Sequence, residues 1–191
     1  VNLDFLQSNN DSSTRVVNVD RDQFGDRFFS GFEPSLHSCF ADEALSMKLI
    51  EKELLKLEKC FLRTQYLVTG TNVLSSSISA ETIFFLLEQA KKSEVKVVID
   101  LNWREVFWDY SNFASDTIKK SRINLIKNFL NHAHVIKLAK EEATLFFEIE
   151  NPSLISQQMS KRPDVIITDG KNPIKWYING LQGITETPTS H

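Results

Sequence analysis

Cysteine is scarce in this chain. Cys39 and Cys60 are the only two, and no CxxC spacing occurs. Such usage excludes a disulfide scaffold and reads as two reduced thiols in a cytosolic protein. Histidine is limited to His37, His132, His134 and His191. None pairs with a Ser or Cys at a suggestive spacing, and they do not supply the close ligand set of a structural zinc site. No apolar run approaches the ~20 residues of a membrane span, so no membrane partner is expected. A signal-peptide pattern is absent as well. Neither a Walker A loop nor a GxGxxG run occurs, which excludes the P-loop and the dinucleotide fingerprint. Positive charge is not in excess: net charge is -3 and the pI about 5.8. That removes the electrostatic case for nucleic acid or an anionic lipid surface.

What is present is an ordinary globular composition. Of 191 residues, 41% are hydrophobic and 25% charged. This length allows one good core and argues against two full domains. Phe supplies 14 of the aromatic residues, and lacking a polar handle it serves packing. Trp103, Trp108 and Trp176 read as packing residues too. The chain opens on Val1 rather than Met. It is therefore expected to be processed, trimmed or part of something longer.

The pattern along the chain predicts two β-strands, STRVVNVD (13–20) and DRFFSGF (26–32), joined by a polar turn with Gly25 available for positive φ. An amphipathic helix is predicted from Asp42 to Lys59, on the spacing of Leu45, Leu49, Leu54, Leu55 and Leu57. QYLVTG (65–70) reads as a buried strand. Residues 79–93 read as a helix capped by Ser79, with Ile83, Phe84, Leu86, Leu87 and Ala90 as its apolar stripe. VKVVIDLN (95–102) reads as a strand buried on both faces. A helix over 115–131 follows, with Ile118, Ile126, Phe129 and Leu130 inward. Then come a strand at 134–139, helices near 140–147 and 152–159, and a strand at 164–170. The Asn179-Gly180 pair between IKWYI and LQGITE is a strong hairpin signal. Hairpin, then alternating strand and helix, then hairpin, predicts a mainly parallel sheet flanked by helices, with the first hairpin as a separate flap.

In open parallel sheets ligands bind beyond the carboxyl ends of the strands. Four such ends converge here: Thr69–Asn72, Asp100–Arg104, Lys137–Glu142 and Thr168–Gly170. Asp100, Asn102 and Arg104 alternate at one of them. Together they offer an acceptor, a donor-acceptor and a cationic fork for hydroxyls and an anion. The alternative is a plain turn with Asp100 as a cap and Arg104 on the surface. Glu142 opens a helix just after a strand, where it holds a hydrated Mg2+ through water or simply complements the helix dipole. Thr168 and Gly170 allow close approach of a nucleotide, or form a plain left-handed turn.

At these same strand ends the sequence resembles the pfkB (ribokinase-like) carbohydrate kinases, fructokinase-like branch. TRVVNVDRDQFGDRFFSGF is similar to the family's lid strands, YLVTGTNVLSSSISAETI to its "TGS" strand and turn, and VVIDLNWREVFW to its "DxNxRxxLW" segment. VIKLAKEEATLFF resembles the "K-x-N/S-x-x-E" turn, and VIITDGKNPIKWYING the "ITxGxxG" strand and hairpin. The resemblance implies a three-layer α/β/α fold with a small β lid over residues 13–32 and an α/β core over 42–191. It implies ATP and Mg2+ as cofactors, phosphoryl transfer to a sugar hydroxyl, a homodimer through the lid strands and a cytoplasmic location. Asp100, Asn102 and Arg104 would face the sugar, Thr168 and Gly170 the nucleotide, and Glu142 a Mg2+ through water.

Three departures accompany the resemblance. Ala139 stands where Asn or Ser is usual. Pro173, without an amide hydrogen, stands at the second Gly of "GxxG". The "DTxGAGD" motif, which supplies the anion hole and the catalytic base, is absent, so no catalytic residue is assigned and the base is expected beyond His191. The N-terminal Gly-rich sugar-binding segment is absent too. The chain therefore reads as one partial kinase domain over 1–191, inactive by itself. The alternative is an inactive binding or scaffold protein of the same fold.

Overall fold

The structure, a computed structural model, describes residues 3–23, 27–33, 40–103 and 116–187. Strands β1 (Val16–Arg21) and β2 (Arg27–Glu33) pair antiparallel as a sheet of their own, with an irregularity at Asn18/Val19. The expected separate flap is therefore present. The turn carrying Gly25 lies outside the described residues, as do Cys39, Trp108 and the side chain of Ile118. Arg15 fastens the base of the flap to the core. Its guanidinium reaches Asp42 at 3.2 Å and Glu43 at 2.6 Å, and lies 4.1 Å over the Phe40 ring.

The single helix expected over 42–59 is instead three pieces: a 3-10 turn at Ala41–Ala44, α1 (Met47–Lys52) and α2 (Leu54–Phe61). Two local causes account for the breaks. The Gln7 amide takes both backbone groups of Ser46, donating to its carbonyl at 3.0 Å and accepting from its N–H at 2.7 Å, which holds Ser46 extended. Glu53, at φ -109 and ψ 22, then leaves the helical region. The apolar face is also rotated from the expected one. Ile50, Leu57 and Phe61 are buried, while Leu49 and Leu55 are exposed.

The core sheet has the order β3 (Tyr66–Gly70), β4 (Lys96–Asp100), β5 (Val135–Ala139), β6 (Asp164–Asp169), β7 (Asn172–Ile178), β8 (Leu181–Thr185). The first four strands run parallel and the last three pair antiparallel. Helices α3 (Ser77–Lys92), α4 (Asp116–Leu130), α5 (Lys140–Phe147) and α6 (Pro152–Gln158) fill the parallel crossovers. The cap of α3 is Ser76, whose Oγ accepts the Ser79 N–H, and not Ser79. Ser79 is buried, donates to Asp42 O at 2.8 Å and accepts from Leu45 N–H at 3.1 Å.

Val97, Ile99, Ile136, Leu138, Val165 and Ile167 share the covered sheet face with Ile83, Leu87, Ile126 and Phe129 of the helices. Burial alternates along β4, β5 and β6, so β4 is not equally buried on both faces. β3 departs further from expectation. It is the sheet edge among the described residues, and Tyr66 and Val68 are 49% and 68% exposed. At the far side, Asn179 and Gly180 take φ 51 and 80, the left-handed pair of a tight hairpin turn. Pro173 sits where the β6–β7 register slips between Ile167 and Asp169, a position that needs no ladder amide.

Candidate functional site

The carboxyl ends of β3, β4, β5 and β6 form one rim. Leu101, fully buried, anchors its middle. Its N–H donates to Lys137 O at 2.8 Å, and its carbonyl accepts the Thr71 hydroxyl at 2.5 Å. Asp100 is the register partner of Lys137 on β5. Lys137 Nζ stands 3.1 Å from Asp100 Oδ1 and 3.4 Å from Oδ2. Both side chains are more than a third exposed, so the pair is worth at most about 1 kcal/mol. Its consequence is orientation: the carboxylate is aimed and keeps lone pairs for hydroxyl donors.

Asn102 follows at φ 42, a left-handed conformation that Asn tolerates better than most side chains. Arg104 lies outside the described residues. Next to this loop, on the β3 side, Asn72 Oδ1 is buried with no hydrogen-bond partner among the described residues. A buried acceptor in that state costs about 1–3 kcal/mol unless something donates to it.

Glu142 joins two strand ends. It stands at the third position of α5, 6% exposed, and accepts the Ala139 N–H at 2.7 Å and the Trp103 N–H at 2.5 Å. Burial pushes its carboxyl above the ordinary value of 4.5, partly opposed by those two amides and by the Lys137 charge. The first contact is half of a capping box. The other half is missing, because Ala139 at the N-cap has no side-chain oxygen to meet the helix amides. Trp103 packs edge-on to Phe146 of α5, at 5.6 Å and 78°, which supports the expected packing role.

At the next strand end, Thr168 pairs in register with Ala139, and its hydroxyl lies 3.5 Å from Leu138 O, a weak contact. Gly170 follows at φ 54 with open space where a Cβ would stand, so backbone conformation rather than room requires glycine. Lys140 bridges the two rim segments, 3.3 Å from Asp169 and 3.9 Å from Glu150, and these acids raise its pKa.

Asp100, Asn102 and Glu142 are thus brought into one hydrogen-bonded unit through Leu101, Trp103 and Lys137. Thr168 and Gly170 stand at the next strand end and are joined to it only through the Ala139–Thr168 pairing. Lys137, Lys140 and Asn72 fall within the strand ends that the sequence marks out, but no role is read for them there. Lys137 carries one signal, a lone cation inside the apolar run 134–139. Asn72 carries only its place in the Thr69–Asn72 strand end, since its isolation becomes visible only in three dimensions.

No protein-family model matches this chain, and no curated protein matches it in sequence. Solved structures do match in fold. The fructokinase from Xylella fastidiosa with bound ATP aligns over 96% of this chain at TM-score 0.73 and 21% identity. The fructokinase from Halothermothrix orenii aligns over 93% at TM-score 0.60 and 17% identity. The PfkB protein from Polaromonas sp. JS666 aligns over 92% at TM-score 0.67 and 11% identity. The chain spans 52%, 55% and 53% of these three structures respectively, about half of each. These matches take in this chain's mainly parallel six-stranded sheet and its flanking helices. The chain therefore has the ribokinase-like α/β fold of the fructokinases and PfkB-type kinases.

Proposed function

We propose that this chain is part of an ATP-dependent sugar kinase of the fructokinase-like type, carrying part of the sugar rim and part of the nucleotide rim. The observation that carries this reading is the Glu142 bridge between the loop after Asp100–Asn102 and the first turn of α5. It ties the strand end proposed to read hydroxyls to the end of β5, whose Ala139 pairs in register with Thr168 on the proposed nucleotide side, in a fold shared with fructokinases. Phosphoryl transfer depends on such positioning, because its transition state asks little covalent chemistry of the protein. Asp100, aimed by Lys137, and Asn102 would hold the sugar hydroxyls, and Arg104 would meet an anionic group. Thr168 and Gly170 would lie against the nucleotide.

Mg2+, carried by the ATP phosphates, would offset their charge. Among the described residues no three His, Cys, Asp or Glu are grouped to hold a metal directly. Glu142 is thus read as supporting the ion through water, with the lone pairs left after its two amide bonds. The exposed Val16 and Val19 of β1 support pairing of two copies through the flap. No residue here is assigned as the base, so the 191-residue chain is proposed to be inactive.

A second reading, an inactive binding or scaffold protein of this fold, is favoured by Ala139 and Pro173, which remove a polar side chain and an amide at the nucleotide side. ADP release, with ATP and a panel of ketoses and aldoses, separates the two. It is measured for this chain and for the protein encoded when the reading frame is extended at both ends. The kinase reading expects no release from the chain and sugar-dependent release from the longer protein. No release from a longer protein that carries a GAGD segment overturns it in favour of the inactive one.

A further inference from the structure

The amino ends of the parallel strands hold a second cleft, of about 570 Å³. It lies at the opposite end of the sheet from the rim, roughly 15 Å away for five-residue strands rising about 3.3 Å each. Lys96 begins β4, His134 precedes β5, and Lys161 and Arg162 precede β6; all four line the cleft. Asp164 is the one carboxylate in the lining. Three cations against one anion leave +2 in a chain whose net charge is -3.

The cations are not consumed by the fold. Among the described residues none of Lys96, Lys161 and Arg162 is within ion-pair distance of a carboxylate. Lys161 donates to the His132 carbonyl at 3.2 Å, and Asp164 Oδ1 is taken by the Asn179 N–H at 2.8 Å. His134 Nδ1 accepts the Val97 N–H at 3.0 Å. The neutral ring must then carry its proton on Nε2, which is left as a donor. Arg162 has φ 47 immediately before Pro163, a conformation uncommon for a side chain of that size.

We infer that this cleft binds a phosphate group, borne by a small phosphorylated molecule, through Lys96, Lys161, the Arg162 fork and the His134 Nε2–H. A guanidinium fork with two ammonium groups matches a phosphate dianion in charge and donor geometry. The volume leaves room for an organic moiety beyond the phosphate. The ligand would sit on the far side of the sheet from the proposed sugar rim, so it would act as an effector and not as a substrate. Burial, and then the Lys161 and Lys96 charges, already lower the His134 pKa. A phosphate held among them would raise it.

The test is titration of the 191-residue chain with inorganic phosphate and with glucose 6-phosphate, at constant ionic strength set with chloride. Two readouts are followed: thermal unfolding, and the His134 imidazole resonance against pH. Saturable stabilisation is expected, together with an upward shift of the His134 titration. At least a tenfold weakening is expected in Lys161→Gln/Arg162→Gln. A larger effect from glucose 6-phosphate than from phosphate assigns the ligand as a phosphomonoester; an equal effect assigns free phosphate. The inference is overturned if chloride stabilises equally, if the double variant binds as well, or if His134 does not respond. Should the double variant fail to fold, the His134 titration of the native chain decides alone.

Discussion

The Glu142 carboxylate accepts the Trp103 N–H at 2.5 Å, across 39 residues of sequence, while its other oxygen caps α5 through Ala139. This relationship is local capping chemistry used for a long-range purpose. Glu142→Gln turns one acceptor into an NH2 that meets a backbone donor, so a buried N–H loses its partner. A loss of about 1–3 kcal/mol at pH 7 is expected from urea unfolding.

The same residue sets a pH dependence. Its folded pKa lies above the ordinary 4.5 because burial disfavours the carboxylate. A carboxyl raised in this way contributes stability that is fully present below its unfolded pKa and is lost as pH rises through the folded value. The advantage of the wild type over Glu142→Gln should therefore narrow as pH rises from 4 toward neutrality. Parallel stability-against-pH curves for the two proteins would contradict this.

Ala139 occupies an N-cap at φ -78 and ψ 161, backbone angles that serine adopts readily. Ala139→Ser supplies the oxygen for the Glu142 N–H and completes the capping box. A gain of about 1 kcal/mol in denaturant unfolding is expected. An unchanged midpoint would mean that the first turn of α5 is satisfied by another group.

Gly183 faces Trp176 across β7 and β8, and a Cβ there would collide with the indole ring. Trp176 Nε1 also donates to Thr185 Oγ1 at 2.9 Å, which holds the ring in place. Gly183→Ala should displace the indole, shift its fluorescence to the red and cost about 1–3 kcal/mol. Trp176→Leu in the same protein should recover part of that loss. The displaced ring also lines a cleft of about 590 Å³ beside Glu150 and Pro152, so the variant should change that cleft too.

The β3 edge carries exposed Tyr66 and Val68 beside backbone groups with no neighbouring strand among the described residues. Such an edge invites pairing with another chain. Sedimentation velocity should show association that grows with concentration, and Val68→Lys should suppress it. A monomer at all concentrations in the unmodified chain would contradict this.

Most of the fold was legible in the sequence for a physical reason. The apolar runs at 95–100, 134–139 and 164–169 are short, continuous and punctuated by polar turns, which is how strands joined by crossovers read. The turn at Asn179-Gly180 was equally plain. Four readings failed, the Ser79 cap and the evenly buried β4 among them, and two show plainly how tertiary contacts override pattern. The helix of 42–59 is broken because Gln7, 39 residues away, holds Ser46 extended. QYLVTG is as apolar as its neighbours, yet its exposure depends on what lies beside it in the sheet. At the candidate site, the placement of Asp100, Asn102 and Glu142 at the ends of strands was legible. Their coupling through Trp103, Lys137 and Leu101 was not, because backbone donors leave no trace in residue type.

The most direct test of the central claim is backbone amide mapping of this chain, with each ketose and aldose added in turn in the presence of ATP and Mg2+. The account expects a sugar to perturb Asp100, Asn102 and Trp103, and ATP to perturb Thr168 and Gly170, with Ala139 and Glu142 responding to both. Sugar and nucleotide responses confined to residues away from these strand ends would contradict the assignment of a sugar-kinase rim.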